Sequence, residues 1–120
     1  MDVNSERVGD ALIVRIGDER IDAAVAIHFK DAMREAARTP SRRVVLDLSG
    51  VGFLDSSGLG AVVGVMKELG PGRPLELAGL TPTVDRVFRL TRMDSVFTIH
   101  ADASAAVAAT AGQDVRRDAG

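Results

Sequence analysis

A chain of 120 residues with a formal net charge of −2 and no cysteine suits one domain with a modest core. It excludes disulfides, thiolate chemistry and any general electrostatic attraction to nucleic acid or an anionic membrane. Hydrophobic residues at 46% and charged residues at 27% are the proportions of a soluble cytoplasmic globular protein, and the absence of Trp and Tyr removes the side chains that most often anchor binding hot spots.

No apolar stretch approaches the roughly 20 residues of a membrane span, and the N-terminal MDVNSERVGD lacks the basic-then-apolar order of a signal peptide. Neither membrane insertion nor export is expected. The first predicted element is a strand at Ala11-Leu12-Ile13-Val14-Arg15-Ile16, paired through Gly9-Asp10 with a shorter strand around Val3 to Val8. Asp22 precedes a helix predicted from Ala23 to about Arg38, with Val25, Phe29, Ala32 and Ala36 inward and Lys30, Arg34, Glu35 and Arg38 outward. Thr39-Pro40-Ser41 stops it.

Val44-Val45-Leu46-Asp47-Leu48 reads as a buried strand, and Leu59, Val62, Val63, Met66 and Leu69 recur at helical spacing up to the breaker Gly70-Pro71-Gly72. Leu75-Glu76-Leu77-Ala78 is the next strand. Thr81-Pro82 opens a third helix with Val84, Val87 and Phe88 inward. Phe97-Thr98-Ile99 is a short last strand, and Ala103 to Ala111 an alanine-rich helix of high propensity and little packing bulk. The domain is expected over residues 1–111, with a flexible polar tail over 112–120. Regular alternation of strand and helix implies an α/β domain, a mainly parallel sheet with an antiparallel N-terminal edge.

Between the central strand and its helix stand Asp55, Ser56, Ser57 and Gly58, residue types that cap helices. Two hydroxyls therefore lie at a helix N-terminus, where free N–H groups and the dipole tolerate a phosphate. Capping accounts for about 1 kcal/mol, but not for two hydroxyls and an acid in front of a glycine. Residue chemistry alone leaves plain capping and regulated phosphorylation both open.

Other chemistry is weaker. A serine nucleophile needs a base, yet the two histidines, His28 and His100, fall in the first helix and after the last strand, and Gly-x-Ser-x-Gly is absent. They also lack the acidic neighbours of a metal site. Gly58, Gly60 and Gly64, with Glu76 as a ribose ligand, approximate a dinucleotide fingerprint. Their spacing is one residue too long, and Asp55 would repel a pyrophosphate. These glycines are better explained as keeping one helix face small against the sheet. Arg86, Arg89 and Arg92 fall on one side of the third helix and read as a solvated face or a contact for an acidic partner; no aromatic residues interleave with them for nucleic acid.

Phe53-Leu54-Asp55-Ser56-Ser57-Gly58-Leu59-Gly60, together with Leu80-Thr81-Pro82-Thr83-Val84-Asp85-Arg86-Val87-Phe88, resembles the STAS domain, specifically the bacterial anti-sigma factor antagonists, over about Val8 to Ala109. The resemblance implies the STAS fold, a mostly parallel sheet of about four or five strands covered by about four helices. It further implies partner switching. The dephosphorylated antagonist binds an anti-sigma factor that is itself a serine kinase of the histidine-kinase-like ATPase type, and so frees the sigma factor. Phosphorylation of the first serine after the aspartate ends the complex, and a metal-dependent PP2C-type phosphatase resets it.

By position the phosphoacceptor is Ser56, and the partner-binding residues are Asp22, Asp55, Ser56, Ser57, Gly58 and Leu59. Asp22 enters through Glu19-Arg20-Ile21-Asp22, which matches the family's Gly-x-Leu-Asp stretch; here Glu19 stands at the glycine position and Gly17 lies two residues early. No catalytic residue, metal or cofactor is implied, and a monomer or weak dimer is expected. Two other roles fit the same resemblance: a subunit docked on the ATPase of an ABC-type lipid transport system, and a partner-switching adaptor whose output is not a sigma factor.

Overall fold

The first sixteen residues fold back on themselves at Gly9-Asp10. Strands β1 (Val3–Val8) and β2 (Ala11–Ile16) pair antiparallel with Val8 opposite Ala11, and Gly9 takes the positive φ of 61° that so short a turn requires. The structure, a computed structural model, describes residues 1–109. After β2 come β3 (Arg20–Ile21) and α1 (Ala26–Ala36), then β4 (Arg43–Asp47), β5 (Phe53–Leu54) and α2 (Ser56–Leu69). The chain continues through β6 (Leu75–Ala78), α3 (Pro82–Leu90), a 3-10 turn at Met93–Ser95, β7 (Ile99–His100) and α4 (Ala103–Ala108).

The main sheet has the order β1-β2-β4-β6-β7, and every pairing after the hairpin is parallel. The mostly parallel five-stranded sheet with four helices matches the expected STAS fold. Period-two alternation divides its side chains. Leu12, Val14, Ile16, Val44, Leu46, Leu75 and Leu77 face the core shared with α1, α2 and α3. Ala11, Ile13, Val45 and Ala78 face the other way, where Ala106 of α4 covers them.

Several boundaries differ from expectation for local reasons. Helix α1 begins at Ala26, not Ala23, because the Asp22 carboxylate accepts the Ala24 N–H at 3.1 Å and the Asp22 carbonyl accepts the Val25 N–H at 3.1 Å, closing a turn first. Its buried residues are Phe29 and Met33, with Ala32 and Ala36 only half-buried. In α2 the buried set is Gly58, Ala61, Val62 and Val65, while Leu59, Val63, Met66 and Leu69 flank the core. The helix packs on both the sheet and α1, so its apolar surface is broader than one stripe.

Thr81 occupies the N-cap position of α3, but its hydroxyl donates to the Val51 carbonyl at 2.8 Å instead of capping. Phe97 leaves the last strand for the core, where its ring meets Phe88 edge-on at 5.9 Å. Asp102 caps α4 through the Ala105 N–H at 2.8 Å. Helix α4 ends at Ala108, with Ala109 leaving the helical conformation (φ −83°, ψ 88°); residues 110 and 111 of the predicted last helix and the tail over 112–120 lie outside the described residues.

Candidate functional site

The segment from Leu48 to Asp55 leaves the carboxyl end of β4, the end at which parallel α/β sheets place their functional crevices. It is pinned on both sides. The Glu19 carbonyl accepts the N–H groups of Gly52 and Phe53 at 2.8 and 3.2 Å, and Thr81 holds the Val51 carbonyl. Phe53 and Leu54 then pair in parallel with Arg20 and Ile21, and the Asp55 N–H reaches the Ile21 carbonyl at 3.4 Å. This two-stranded sheet was not legible in the sequence, because two-residue strands carry no periodicity. It brings Asp22 beside Asp55 through the register of Ile21 with Leu54.

The cap of α2 belongs to Asp55. Its backbone is extended (φ −99°, ψ −172°), and its Oδ1 accepts the Gly58 N–H at 2.9 Å. Both Ser56 and Ser57 are exposed in the first helical turn, and among the described residues neither hydroxyl makes a hydrogen bond within the protein. Gly58 is buried, and a Cβ there would overlap the Ile21 carbonyl oxygen, so only glycine lets the turn approach β3. Leu59 is half-buried against the main core. The arrangement presents two free hydroxyls and two carboxylates, Asp22 and Asp55, on one outward-facing surface.

Arg20 belongs to the same surface and carried no distinct signal in the sequence. Its guanidinium carbon lies 4.0 Å from the Phe53 ring centroid, and its Nε is 3.4 Å from Asp22 Oδ2. Only the β3–β5 register puts the cation over the ring.

The other chemistry-bearing residues sit elsewhere. His100 is paired across from Ala78 on the α4 face, and its Nε2 lies 2.7 Å from Glu76 Oε1. Glu76 also accepts Arg43 Nη1 at 2.8 Å, so it is committed within the sheet and offers nothing to a ribose. Arg43 in turn donates to Asp10 at 3.0 Å; burial opposes its charge, but these two carboxylates outweigh that and hold the guanidinium above its ordinary pKa. His28 is exposed on α1. The three glycines do not share one sheet-facing side: a Cβ at Gly60 would meet open space and one at Gly64 would touch Lys30 at 3.4 Å. Arg92 lies beyond α3 with φ 63°, and Arg89 is paired with Asp85 at 2.7 Å, leaving Arg86 as the exposed, unpaired cation of that helix among the described residues. No helix among the described residues is long and apolar enough to cross a membrane.

The chain is similar to known proteins in sequence and in fold. A STAS-domain protein of Pseudomonas aeruginosa is 32% identical over 92 residues, covering 76% of this chain and 89% of its own length. The anti-sigma-B factor antagonist of Staphylococcus aureus is 24% identical over 88 residues, 72% of this chain and 81% of its own. Among solved structures, an anti-sigma factor antagonist from Mycobacterium paratuberculosis superposes with a TM-score of 0.80 at 24% identity, covering 90% of this chain and 92% of that one, and so shares the fold. The STAS domain family model matches residues 2–106, and the chain belongs to the STAS domain family.

Proposed function

We propose that the chain is an anti-sigma factor antagonist in a partner-switching pathway and that Ser56 is its phosphoacceptor. The observation that carries this is the division of labour at the start of α2: Asp55 supplies the cap, and Ser56 and Ser57 are left exposed, with no hydrogen-bond partner for either hydroxyl among the described residues. Capping therefore does not account for the serines. The similarity to the antagonist of Staphylococcus aureus supports the same role. In this reading the protein is the substrate of another protein's catalysis. The unphosphorylated face of Asp22, Asp55, Ser56, Ser57 and Leu59 binds an anti-sigma factor serine kinase, Gly58 shapes the turn from beneath, and a PP2C-type phosphatase reverses the modification.

A phosphate adds about −1.5 to −2 charges. At the N-terminus of α2 the free N–H groups and dipole accommodate it, so the free domain survives. Against a docked partner, beside Asp55, it brings bulk, desolvation and like-charge repulsion. A loss of about 4 kcal/mol of binding is roughly a thousandfold in affinity.

Quantitative mass spectrometry of the protein from its host, under growth and stress, tests the assignment. Cleavage after Arg43 and Lys67 releases a peptide holding Ser49, Ser56 and Ser57, in which fragmentation localises the phosphate. Phosphate on Ser56 that varies with condition is expected, as is tight kinase binding by Ser56→Ala and weak binding by Ser56→Asp. Phosphate confined to Ser49 or Ser57, or equal affinities of the two variants, would overturn the assignment.

A further inference from the structure

Strand β3 alternates like any strand: Ile21 is fully buried, so Arg20 and Asp22 both face outward. On the neighbouring β5 the same alternation buries Leu54 and turns Phe53 and Asp55 outward with them. Ser56 follows directly. Arg20 is thus the cation that β3 contributes to a surface whose other charges from β3, β5 and their flanking residues are Asp18, Glu19, Asp22 and Asp55.

The guanidinium is held in place without being used up. The Phe53 ring supports it at 4.0 Å, which limits its rotamers and orients it over β5. Among the described residues its one ionic contact is the 3.4 Å approach of Nε to Asp22, with the Arg20 side chain 59% exposed. A long, solvent-exposed contact through a single nitrogen is among the weakest of ion pairs. Both terminal nitrogens, Nη1 and Nη2, have no partner among the described residues. Asp22 is not freed to improve the pair, since its other oxygen already accepts the Ala24 N–H.

We propose that Arg20 is the internal receptor for the phosphate on Ser56: when the phosphate arrives, the guanidinium leaves Asp22 and closes on the phosphate, still supported by Phe53. The inference rests on Ser56 as the phosphoacceptor and adds what reads the modification within the protein itself. A phosphate dianion presents more charge than a carboxylate and three acceptor oxygens that match the guanidinium fork, so it wins the competition against Asp22. The exchange changes the docking surface in two ways. It removes a pre-oriented arginine from the partner's reach, and it leaves Asp22 without its counter-charge. Both changes stay within β3, β5 and the first turn of α2.

The test installs phosphoserine at position 56 of the full chain during translation and follows its titration by phosphorus NMR. In the otherwise unaltered chain the second phosphate ionisation falls below that in Arg20→Gln by about 0.5–1 unit, discounted for exposure from the 1–3 units an adjacent arginine gives a carboxylate. Arg20→Lys restores part of the shift. Arg86→Gln, an exposed arginine on α3, leaves it unchanged. Equal titration of the parent and Arg20→Gln overturns the proposal, and so does an equal shift in Arg86→Gln, which marks a mere change in net charge. Because the phosphate is installed, a negative result here leaves Ser56 standing as acceptor, whereas a host protein without phosphate removes the acceptor assignment and leaves this titration as it is.

Discussion

Gly58, Gly60 and Gly64 look equivalent in the sequence, yet each meets a different environment. Gly58 is held against the Ile21 carbonyl by the pairing of β3 with β5, so an added methyl must push the two strands and the helix apart. Gly58→Ala is expected to cost about 1–3 kcal/mol, the usual range for overpacking a closed site. Gly60 lies in mid-helix with open space where its Cβ would be. Gly60→Ala is expected to stabilise by about 0.5–1 kcal/mol, since it lowers the entropy of the unfolded chain without strain. Urea unfolding of both variants reads the two signs. A harmless Gly58→Ala would mean that β3 is not seated on the first turn of α2, and the placement of Asp22 and Arg20 at the site would go with it.

Helices α1 and α2 lie side by side, with Lys30 against Gly64 and Arg34 against Glu68. Arg34 spans them with a two-pronged contact, Nε to Oε1 and Nη2 to Oε2, both 3.1 Å, and also meets Asp31 at 3.0 Å. The hydrogen bond from Arg34 holds the Glu68 carboxyl below its ordinary range. A depressed folded-state pKa adds stability that is present above the unfolded value of about 4.3 and disappears as pH falls through the folded value. The stability difference between the parent and Glu68→Gln is therefore expected to be greatest near neutral pH and to vanish at strongly acidic pH. Both side chains are exposed, so the difference is small and shrinks further in about 1 M salt. A difference that persists in acid would mean Glu68 acts through packing and not through charge.

At the scale of the whole molecule the two faces of the sheet are built differently. The face under α1, α2 and α3 carries Leu, Val and Ile, whereas the α4 face carries Ala11, Ile13, Val45 and Ala78 with Arg43, Asp47 and Glu76 among them. Small residues let the short α4 lie close, and the charged ones tie strands together: Arg43 on β4 joins Asp10 in the hairpin turn to Glu76 on β6, which also meets His100 on β7. Arg43 and Glu76 are both nearly buried, and Arg43 Nη2 has no partner among the described residues. Arg43→Met leaves Glu76 without its cation and is expected to cost about 3–5 kcal/mol, a large share of the roughly 5–15 kcal/mol stability of a domain. Arg43→Met combined with Glu76→Leu is expected to cost less than Arg43→Met alone. Additive losses in denaturant melts would show that the pair is not coupled.

Local signals in the sequence were enough for the α/β alternation, the antiparallel hairpin, β6 to the residue, and the Asp-Ser-Ser-Gly start of α2. Those features depend on period, on turn chemistry and on capping, all of which act between near neighbours. Tertiary structure alone decided that Asp55 and neither serine caps α2, and that Gly58 is a contact point and Gly60 is not. It also decided that Glu76 belongs to Arg43 and His100, and that Arg20 rests on Phe53 beside Asp22. Each of these joins residues more than twenty positions apart or chooses between adjacent side chains of equal propensity. The choice is made by strand register and by which group is desolvated, and neither is written in any local stretch of the chain.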